Sequence, residues 1–256
     1  MADDTLLVDD EDGVRTITIN RPDVKNALTA AMRARFCELV DEADADDGTR
    51  AIIVTAVDPV FCAGVDFKEV AAGTAVRAAA IPGATLRAAT TPVVCAVNGA
   101  CVTGALEIAL SCTFVVASER ARFADTHARV GVVPGWRLSV ALPEAIGVRR
   151  AKEMSATGNF VDAATALNWG LVNHVVPHEE LLPYCQQLGR DIASNDSVTA
   201  RAIYSLYNDE AEMVDGPRAT LELQRFHAWH AEGKSDAAEI ERRRAAIVDR
   251  GRDQTR

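Results

Sequence analysis

Residues 92–117 read PVVCAVNGACVTGALEIALSCTFVVA, and their order of apolar runs and glycines decides the fold class. The runs at 92–98 and 113–117 are continuous apolar segments, which is typical of strands that are covered on both faces. Between them, Gly99 and Gly104 bracket a turn, and the apolar stretch 105–111 predicts a buried helix. A strand, a helix and a second strand of this kind predict an α/β protein with parallel strands.

Segments on both sides of this stretch extend the pattern. Residues 14–20 alternate between apolar and polar side chains, as a half-buried strand does, whereas 51–56 predicts another fully buried strand. Thr29 is a candidate N-cap for an amphipathic helix that runs to about residue 42, and an Ala-rich helical stretch ends near Thr90. Beyond Gly147 we predict a short strand at 173–176 and helices at 178–194, 197–213 and 217–248.

Composition and charge exclude several classes of function. The 256 residues are 48% apolar and 25% charged, as in ordinary globular proteins, and the net charge of −10 argues against binding to nucleic acid. The acidic N-terminus lacks the features of a signal peptide, and no apolar run reaches the ~20 residues of a membrane span. The six cysteines are single, without a CxxC pair, as in a reducing compartment. We therefore expect a cytoplasmic protein without a membrane partner.

Several common site motifs are absent from the sequence. No GxGxxG follows a predicted strand, no GxSxG is present, and the glycine pair at 99 and 104 lacks the Lys-Ser/Thr of a P-loop. His227 and His230 lie three residues apart on a predicted helix, but no nearby Cys or carboxylate pattern completes a metal site. We expect no bound metal and read these histidines as surface or subunit contacts.

Two loops are the remaining candidates for a site. Residues 61–68 (FCAGVDFK) follow a buried strand and are small enough for backbone N–H groups to approach a ligand closely. Residues 97–107 (VNGACVTGALE) pass through glycines into a helix, whose first turn offers unpaired N–H donors. One N–H group from each loop can converge on a single carbonyl oxygen as negative charge develops there.

Glu107 lies about one turn inside the predicted helix and has two interpretations. A carboxylate in the first turn can act as a cap that complements the helix dipole. A carboxylate flanked by Ala, Leu and Ile is also desolvated, which raises its pKa towards that of a useful general base. Physical reasoning alone leaves both interpretations open.

These segments resemble the enoyl-CoA hydratase/isomerase (crotonase) family over about residues 5–195. The matching motifs, in chain order, are Asn20-Arg21-Pro22 with Asn26-Ala27-Leu28, 61–66, 98–107, Arg122-Phe123-Ala124, 131–135, Thr157-Gly158 and Gly170-Leu171-Val172. The resemblance implies a crotonase-like spiral of ββα repeats at residues 1–195. It also implies a C-terminal helical trimerisation region at 196–256, with trimers often paired into hexamers. The implied substrate is an acyl-CoA thioester, with no metal or redox cofactor.

The resemblance also implies roles for individual residues. The oxyanion donors are the N–H groups of Val65 and Gly104, and Glu107 is one of the two glutamates with which hydratases of the family hold a water molecule. The implied substrate-binding positions, with Trp136 at the acyl end, are Lys25, Ala27, Ala63, Asp66, Phe67, Lys68 and Trp136. For Lys25 and Lys68, a solvated surface position is an equal alternative.

Two positions depart from the family pattern. His127 stands where the second glutamate is expected, and Asp125 lies on the same side of the chain if this segment is extended. An Asp125–His127 pair can replace the carboxylate; alternatively His127 fills space and hydration is weakened. Trp136-Arg137 replaces small residues, and it either reshapes the acyl pocket or places Trp136 in the core and Arg137 in solvent.

The function implied is reversible hydration of a 2-enoyl-CoA to a 3-hydroxyacyl-CoA. Glu107 would act as general base, with His127 positioning the water or moving its proton. One alternative is a double-bond isomerase that uses Glu107 alone. The other, from a different class, is a non-catalytic acyl-CoA-binding protein.

Overall fold

The computed structural model describes residues 5–71, 80–232 and 243, except for the side chains of residues 70 and 71. Its strands are β1 (Leu6–Glu11), β2 (Val14–Ile19), β3 (Ala51–Ala56), β4 (Val93–Val97), β5 (Ala100–Val102), β6 (Phe114–Ser118), β7 (Arg122–Ala124), β8 (Val161–Asp162) and β9 (His174–Val176). A six-stranded sheet has the order β1-β2-β3-β4-β6-β9, and a three-stranded sheet has the order β5-β7-β8. Pairing from β2 to β9 in the large sheet is parallel, so the predicted α/β class with parallel strands is confirmed.

Helices cover the sheets and then extend beyond them. They are α1 (Ala30–Ala45), α2 (Phe67–Ala71), α3 (Pro82–Ala88), α4 (Gly104–Ala109), α5 (His127–Val130), α6 (Leu138–Ile146), α7 (Val148–Thr157), α8 (Ala163–Trp169), α9 (Leu181–Ala193) and α10 (Ser197–Ala231). The predicted N-cap is confirmed, because Thr29 Oγ1 accepts a hydrogen bond from the Met32 N–H at 3.2 Å. Part of the predicted Ala-rich helix, 72–79, lies outside the described residues, as do most residues of the predicted 217–248 helix beyond 232.

The first strand, β1, was not predicted. Its residues LLVDDE are mostly exposed, and the second half of the strand is acidic. They therefore lack the alternation of apolar and polar side chains that identified β2. Asp12 and Gly13, both with positive φ, form a two-residue turn that joins β1 and β2 in an antiparallel hairpin. This Asp-Gly pair was a usable sequence signal for the hairpin.

The prediction of two helices at 197–213 and 217–248 was wrong. A single helix, α10, passes through Pro217, which removes one backbone hydrogen bond from its ladder. Ion pairs on either side of the proline hold α10 against the body of the protein: Arg137 pairs with Glu212, and Arg218 pairs with Glu144. These long-range contacts offset the local cost of the proline. Of the helices in the described part of the chain, none is long and apolar enough to cross a membrane.

Candidate active site

The two predicted loops are brought into direct contact. A bridge joins Leu28 to Val65, and a second bridge joins Cys62 to Cys101, so the loop after β3 lies alongside β5. Gly64 adopts a φ of +90° between them, and a Cβ there would lie 3.3 Å from the Gly104 nitrogen. A side chain at this position would therefore be strained and would press on the second loop.

The N–H groups of Val65 and Gly104 are available to a ligand. In the bridge between Leu28 and Val65, the Leu28 N–H donates to the Gly64 carbonyl and the Asp66 N–H donates to the Leu28 carbonyl. The Val65 N–H, which lies between these two bonds, takes no part in the bridge. Gly104 is the first residue of α4, where an N–H has no partner within the helix. Within the described part of the chain, neither N–H donates a hydrogen bond to the protein.

Thr103 sets the direction of the Gly104 N–H. Its backbone has φ 57° and ψ −111°, a conformation that costs a non-glycine residue about 1–3 kcal/mol. The Thr103 N–H bonds to the Ala124 carbonyl at 3.0 Å, and the Thr103 hydroxyl bonds to the Thr126 hydroxyl at 2.6 Å. These contacts with β7 and the residue before α5 hold the strained peptide in place.

A cavity of about 110 Å³ opens beside these donors. Seven of the predicted site residues line it: Ala63, Val65, Phe67, Gly104, Glu107, His127 and Trp136. The other four do not. Lys25 and Lys68 are exposed outside the cavity, and Ala27 is buried. Asp66 forms an ion pair with Arg21 at 2.6 Å and accepts the Lys68 N–H at 2.9 Å, so both of its oxygens have partners within the protein.

Glu107 reaches the cavity from α4 and is only 3% exposed. Its Oε1 accepts a hydrogen bond from the backbone N–H of Trp136 at 2.9 Å, which fixes the orientation of the carboxyl group. Burial raises the pKa of Glu107 to about 7, although the charge of His127 and the Trp136 N–H act to lower it. The carboxyl group therefore exchanges a proton readily near neutral pH.

Asp125, His127 and Glu107 form a linear series. Asp125 Oδ1 lies 2.7 Å from His127 Nδ1, and His127 Nε2 lies 3.8 Å from Glu107 Oε2. Burial acts to lower the pKa of His127, but the hydrogen bond with Asp125 and the charge of Glu107 outweigh it and raise this pKa above 6.5. The predicted contact is present, but the predicted extended backbone was wrong, because His127 begins α5 and Asp125 also accepts its N–H at 3.1 Å.

Trp136 and Arg137 differ in their surroundings. Trp136 lines the cavity, and a Cβ on Gly104 would lie 3.2 Å from its ring. Arg137 forms ion pairs with Glu212 and Asp215 of α10, so its predicted alternative place in solvent was wrong. The pair therefore shapes the cavity on one side and attaches α10 on the other.

Several cavity residues were missed in the sequence. Arg33 comes from α1, Thr126 precedes α5, and Phe226 and His230 come from α10. Arg33 had a signal, because it falls on the buried face of α1 at helical spacing from Phe36. Phe226 had no such signal in the sequence, because its position at the cavity depends on how α10 packs against the rest of the protein. His230, read as a surface or subunit contact, instead lines the cavity.

Metal ligands are not clustered within residues 5–71, 80–232 and 243. No group of three His, Cys, Asp or Glu side chains there is arranged to hold an ion.

Comparison with known proteins gives consistent results. A sequence model described as enoyl-CoA hydratase/isomerase matches residues 9–246. A probable peroxisomal enoyl-CoA hydratase 1 of Arabidopsis thaliana is 35% identical over 222 residues, covering 86% of this chain and 84% of that protein. A probable enoyl-CoA hydratase of Mycobacterium leprae is 32% identical over 254 residues, covering 96% and 99%.

The fold is also shared with solved structures. The crystal structure of an enoyl-CoA hydratase from Mycobacterium tuberculosis H37Rv superposes with a TM-score of 0.82 at 43% identity. The match covers 89% of this chain and 99% of that one. The predicted crotonase-like fold is confirmed by this likeness. On both the sequence and the structural matches, the chain belongs to the enoyl-CoA hydratase/isomerase family.

Proposed function

We propose that this protein is an enoyl-CoA hydratase, which reversibly adds water to a 2-enoyl-CoA and gives a 3-hydroxyacyl-CoA. One observation carries the proposal: two N–H groups that have no partner among the described residues open onto the same cavity as the Glu107–His127 pair. The naming of the curated relatives as enoyl-CoA hydratases supports the same reaction.

The two N–H groups provide the first part of the mechanism. Attack on C3 of the enoyl thioester moves negative charge onto the thioester oxygen, and donors already in place stabilise that charge. Gly104 and Val65 lie on loops in van der Waals contact, with a Gly104 Cβ position 3.6 Å from a Val65 methyl group. Both residues also line the same cavity, which supports the proposal that one thioester oxygen receives both hydrogen bonds.

Glu107 and His127 provide the proton transfers. Atoms 3.8 Å apart can share one water molecule bonded at about 2.8 Å to each. Ionised Glu107 takes a proton from this water as its oxygen bonds to C3, and protonated His127 gives a proton to C2 as the enolate collapses. Proton exchange between the two side chains restores the starting state, so the sum of the steps is addition of one water. Coenzyme A is part of the substrate in this scheme, and no further cofactor takes part.

The Asp125–His127 pair favours hydration over the two alternatives. An isomerase needs one carboxylate to carry a proton between carbons, whereas this cavity has a second, oriented proton donor. The test is to mix the purified protein with crotonyl-CoA, or with a 3-enoyl-CoA, and follow the absorbance of the conjugated enoyl thioester. Loss of crotonyl-CoA supports a hydratase. Conversion of the 3-enoyl-CoA alone would indicate an isomerase, and binding without turnover would indicate a carrier.

The pH dependence of hydration tests the assignment of acid and base. Glu107 must be ionised, so kcat/KM should rise as the pH increases through about 7. His127 must be protonated, so kcat/KM should fall again on the alkaline side. Because Glu107 and His127 interact, the apparent pKa values of the acidic and alkaline limbs of this profile belong to the two residues together. Asp125→Asn removes the negative charge beside His127 that helps to raise the pKa of this residue, and it should move the alkaline limb to lower pH. A profile for Asp125→Asn that superimposes on that of the parent would contradict the role given to His127.

The exposed lysines fit a role outside the cavity. Phe67 lines the cavity wall, and the next residue, Lys68, is exposed beside it, as is Lys25 on the facing loop. Lysine side chains in such positions can meet the phosphates of coenzyme A as the nucleotide lies outside the cavity. We extend the proposal to this binding mode and to a cytoplasmic location.

The long helix α10 supports the proposal of a homotrimer, with trimers able to pair into hexamers. An exposed apolar stripe follows it at spacings of three, four and seven: Ile203, Leu206, Tyr207, Met213, Val214 and Leu221. The face that carries Asp215 and Glu222 is instead buried against the body of the protein. A stripe of this kind is suited to packing against another copy of the chain.

Val214→Glu should therefore shift the protein from a trimer to a monomer, because it places a charge within this stripe. Sedimentation equilibrium measures the change. Val148→Glu, at another exposed valine on α7, is the matched control and should leave the mass unchanged. A trimer that survives Val214→Glu, or a wild-type monomer, would contradict the interface.

A further inference from the structure

Arg33 is a buried cation in the wall of the cavity that also holds Glu107 and Gly104. It comes from the buried face of α1, where its neighbours at helical spacing are Phe36 and Val40. The residue is 1% exposed, and burial lowers its pKa, although a guanidinium keeps its charge in proteins. A positive charge is thus fixed beside the predicted acyl site.

Contacts with Glu69 and Trp136 help to hold the guanidinium in position. Arg33 Nη2 lies 3.8 Å from Glu69 Oε2, and that oxygen also accepts the Ala30 N–H at 2.7 Å. Arg33 Cζ lies 5.5 Å from the centre of the Trp136 ring, within the range of a cation–π interaction. The same ring would lie 3.2 Å from a Cβ added at Gly104, so Trp136 contacts both the cation and the loop that carries one oxyanion donor.

The chemistry of this residue is poorly matched to a plain hydrocarbon chain. Burying a cation costs several kcal/mol before its partners are counted, and an apolar side chain of similar volume is often neutral or stabilising in such a place. An apolar residue would also suit an aliphatic acyl group better. A guanidinium instead offers a planar set of N–H donors that matches a carboxylate in two parallel hydrogen bonds.

We propose that Arg33 determines specificity by binding a carboxylate at the far end of a short enoyl chain, so that the substrate is the mono-CoA thioester of an unsaturated dicarboxylic acid. This inference rests on the proposed hydratase function. Arg33 and the two oxyanion donors line one cavity of about 110 Å³, and a small cavity of this kind suits a short acyl chain. His127, also in the wall, adds positive charge when protonated.

A matched pair of substrates isolates the carboxylate. 2-Hexenoyl-CoA and the mono-CoA thioester of 2-hexenedioic acid have the same chain length and differ in the terminal methyl or carboxylate group. The wild-type protein should hydrate the carboxylated substrate with a kcat/KM on the order of 10²-fold higher, the worth of a charged, paired hydrogen bond. Arg33→Met should abolish this preference, and Arg33→Lys, which keeps a charge but not the planar fork, should retain part of it.

The activity of Arg33→Met on 2-hexenoyl-CoA distinguishes two roles of Arg33: recognition of the substrate carboxylate, and support of the Trp136 side chain. If Arg33 only props Trp136, and through it Glu107, then Arg33→Met lowers kcat for both substrates equally, and the proposal fails. If Arg33 recognises the carboxylate, Arg33→Met lowers kcat/KM for the carboxylated substrate far more than for 2-hexenoyl-CoA, so the ratio between the two substrates falls towards one. A wild-type protein that shows no preference between the two substrates overturns the proposal whether or not the variants fold.

Binding of the saturated analogues separates this inference from the hydratase assignment. Calorimetry with hexanoyl-CoA and with the mono-CoA thioester of hexanedioic acid needs no turnover. Tighter binding of the carboxylated analogue by the wild type, lost in Arg33→Met, supports the role of Arg33 even if neither enoyl substrate is hydrated. Equal binding of the two analogues contradicts it even if both enoyl substrates are hydrated.

Discussion

Glu107→Gln is expected to lower kcat for the hydration of crotonyl-CoA by about 10⁴-fold, the upper range for a general base. Glutamine keeps the volume of the side chain and an oxygen that can accept the Trp136 N–H, but it cannot take a proton from water. The free energy lost is therefore that of proton transfer and not that of packing. Stopped-flow or steady-state absorbance of the enoyl thioester measures the change.

A control and a binding measurement make the result for Glu107→Gln specific. Glu119→Gln changes an exposed carboxylate away from the cavity, and it should leave kcat unaltered. The affinity of the variant for a saturated acyl-CoA should stay within a few-fold of that of the parent. A Glu107→Gln protein with more than a tenth of the parental kcat would show that another group is the base.

Regular elements were predictable where a local pattern and burial agree. The runs at 92–98 and 113–117 became β4 and β6, and Thr29 became the N-cap of α1. In these segments the local signals, continuous apolar runs and a capping residue, favour the same structure as tertiary packing does. β1 was missed because its acidic half carries no apolar alternation.

Residues that approach the site from distant elements were harder to predict. Phe226 reaches the cavity only because ion pairs dock α10 on the body, and no local pattern reports that geometry. The Asp125–His127 contact was expected, but through an extended backbone, whereas a helical turn at α5 produces it. Arg33 broke an otherwise apolar helix face, and local rules of this kind are most often broken at functional sites.

Gly104→Pro is expected to lower kcat/KM by about 10²–10³-fold, the usual effect of removing one oxyanion donor. Proline is tolerated as the first residue of a helix, which is the place of Gly104 in α4, and the Gly104 N–H that it would remove donates to no other described residue. The substitution therefore removes a donor to the substrate while leaving the helix ladder intact. Kinetics with crotonyl-CoA measure the loss.

Gly104→Ala separates the donor from the added volume. A Cβ added at Gly104 would lie 3.2 Å from Trp136 and 3.6 Å from Val65, so alanine and proline both demand a small shift of the indole, and proline also places its Cδ in the direction of the lost N–H. Alanine keeps the N–H, and the ratio of kcat/KM between the two variants therefore reports the effect of replacing the N–H at this position with the Cδ of proline. Equal activity of the alanine and proline variants, with both folded, would mean that the reacting oxygen does not lie at Gly104. The role of Val65 would then fail with it, because the two donors are useful only if they meet at one atom.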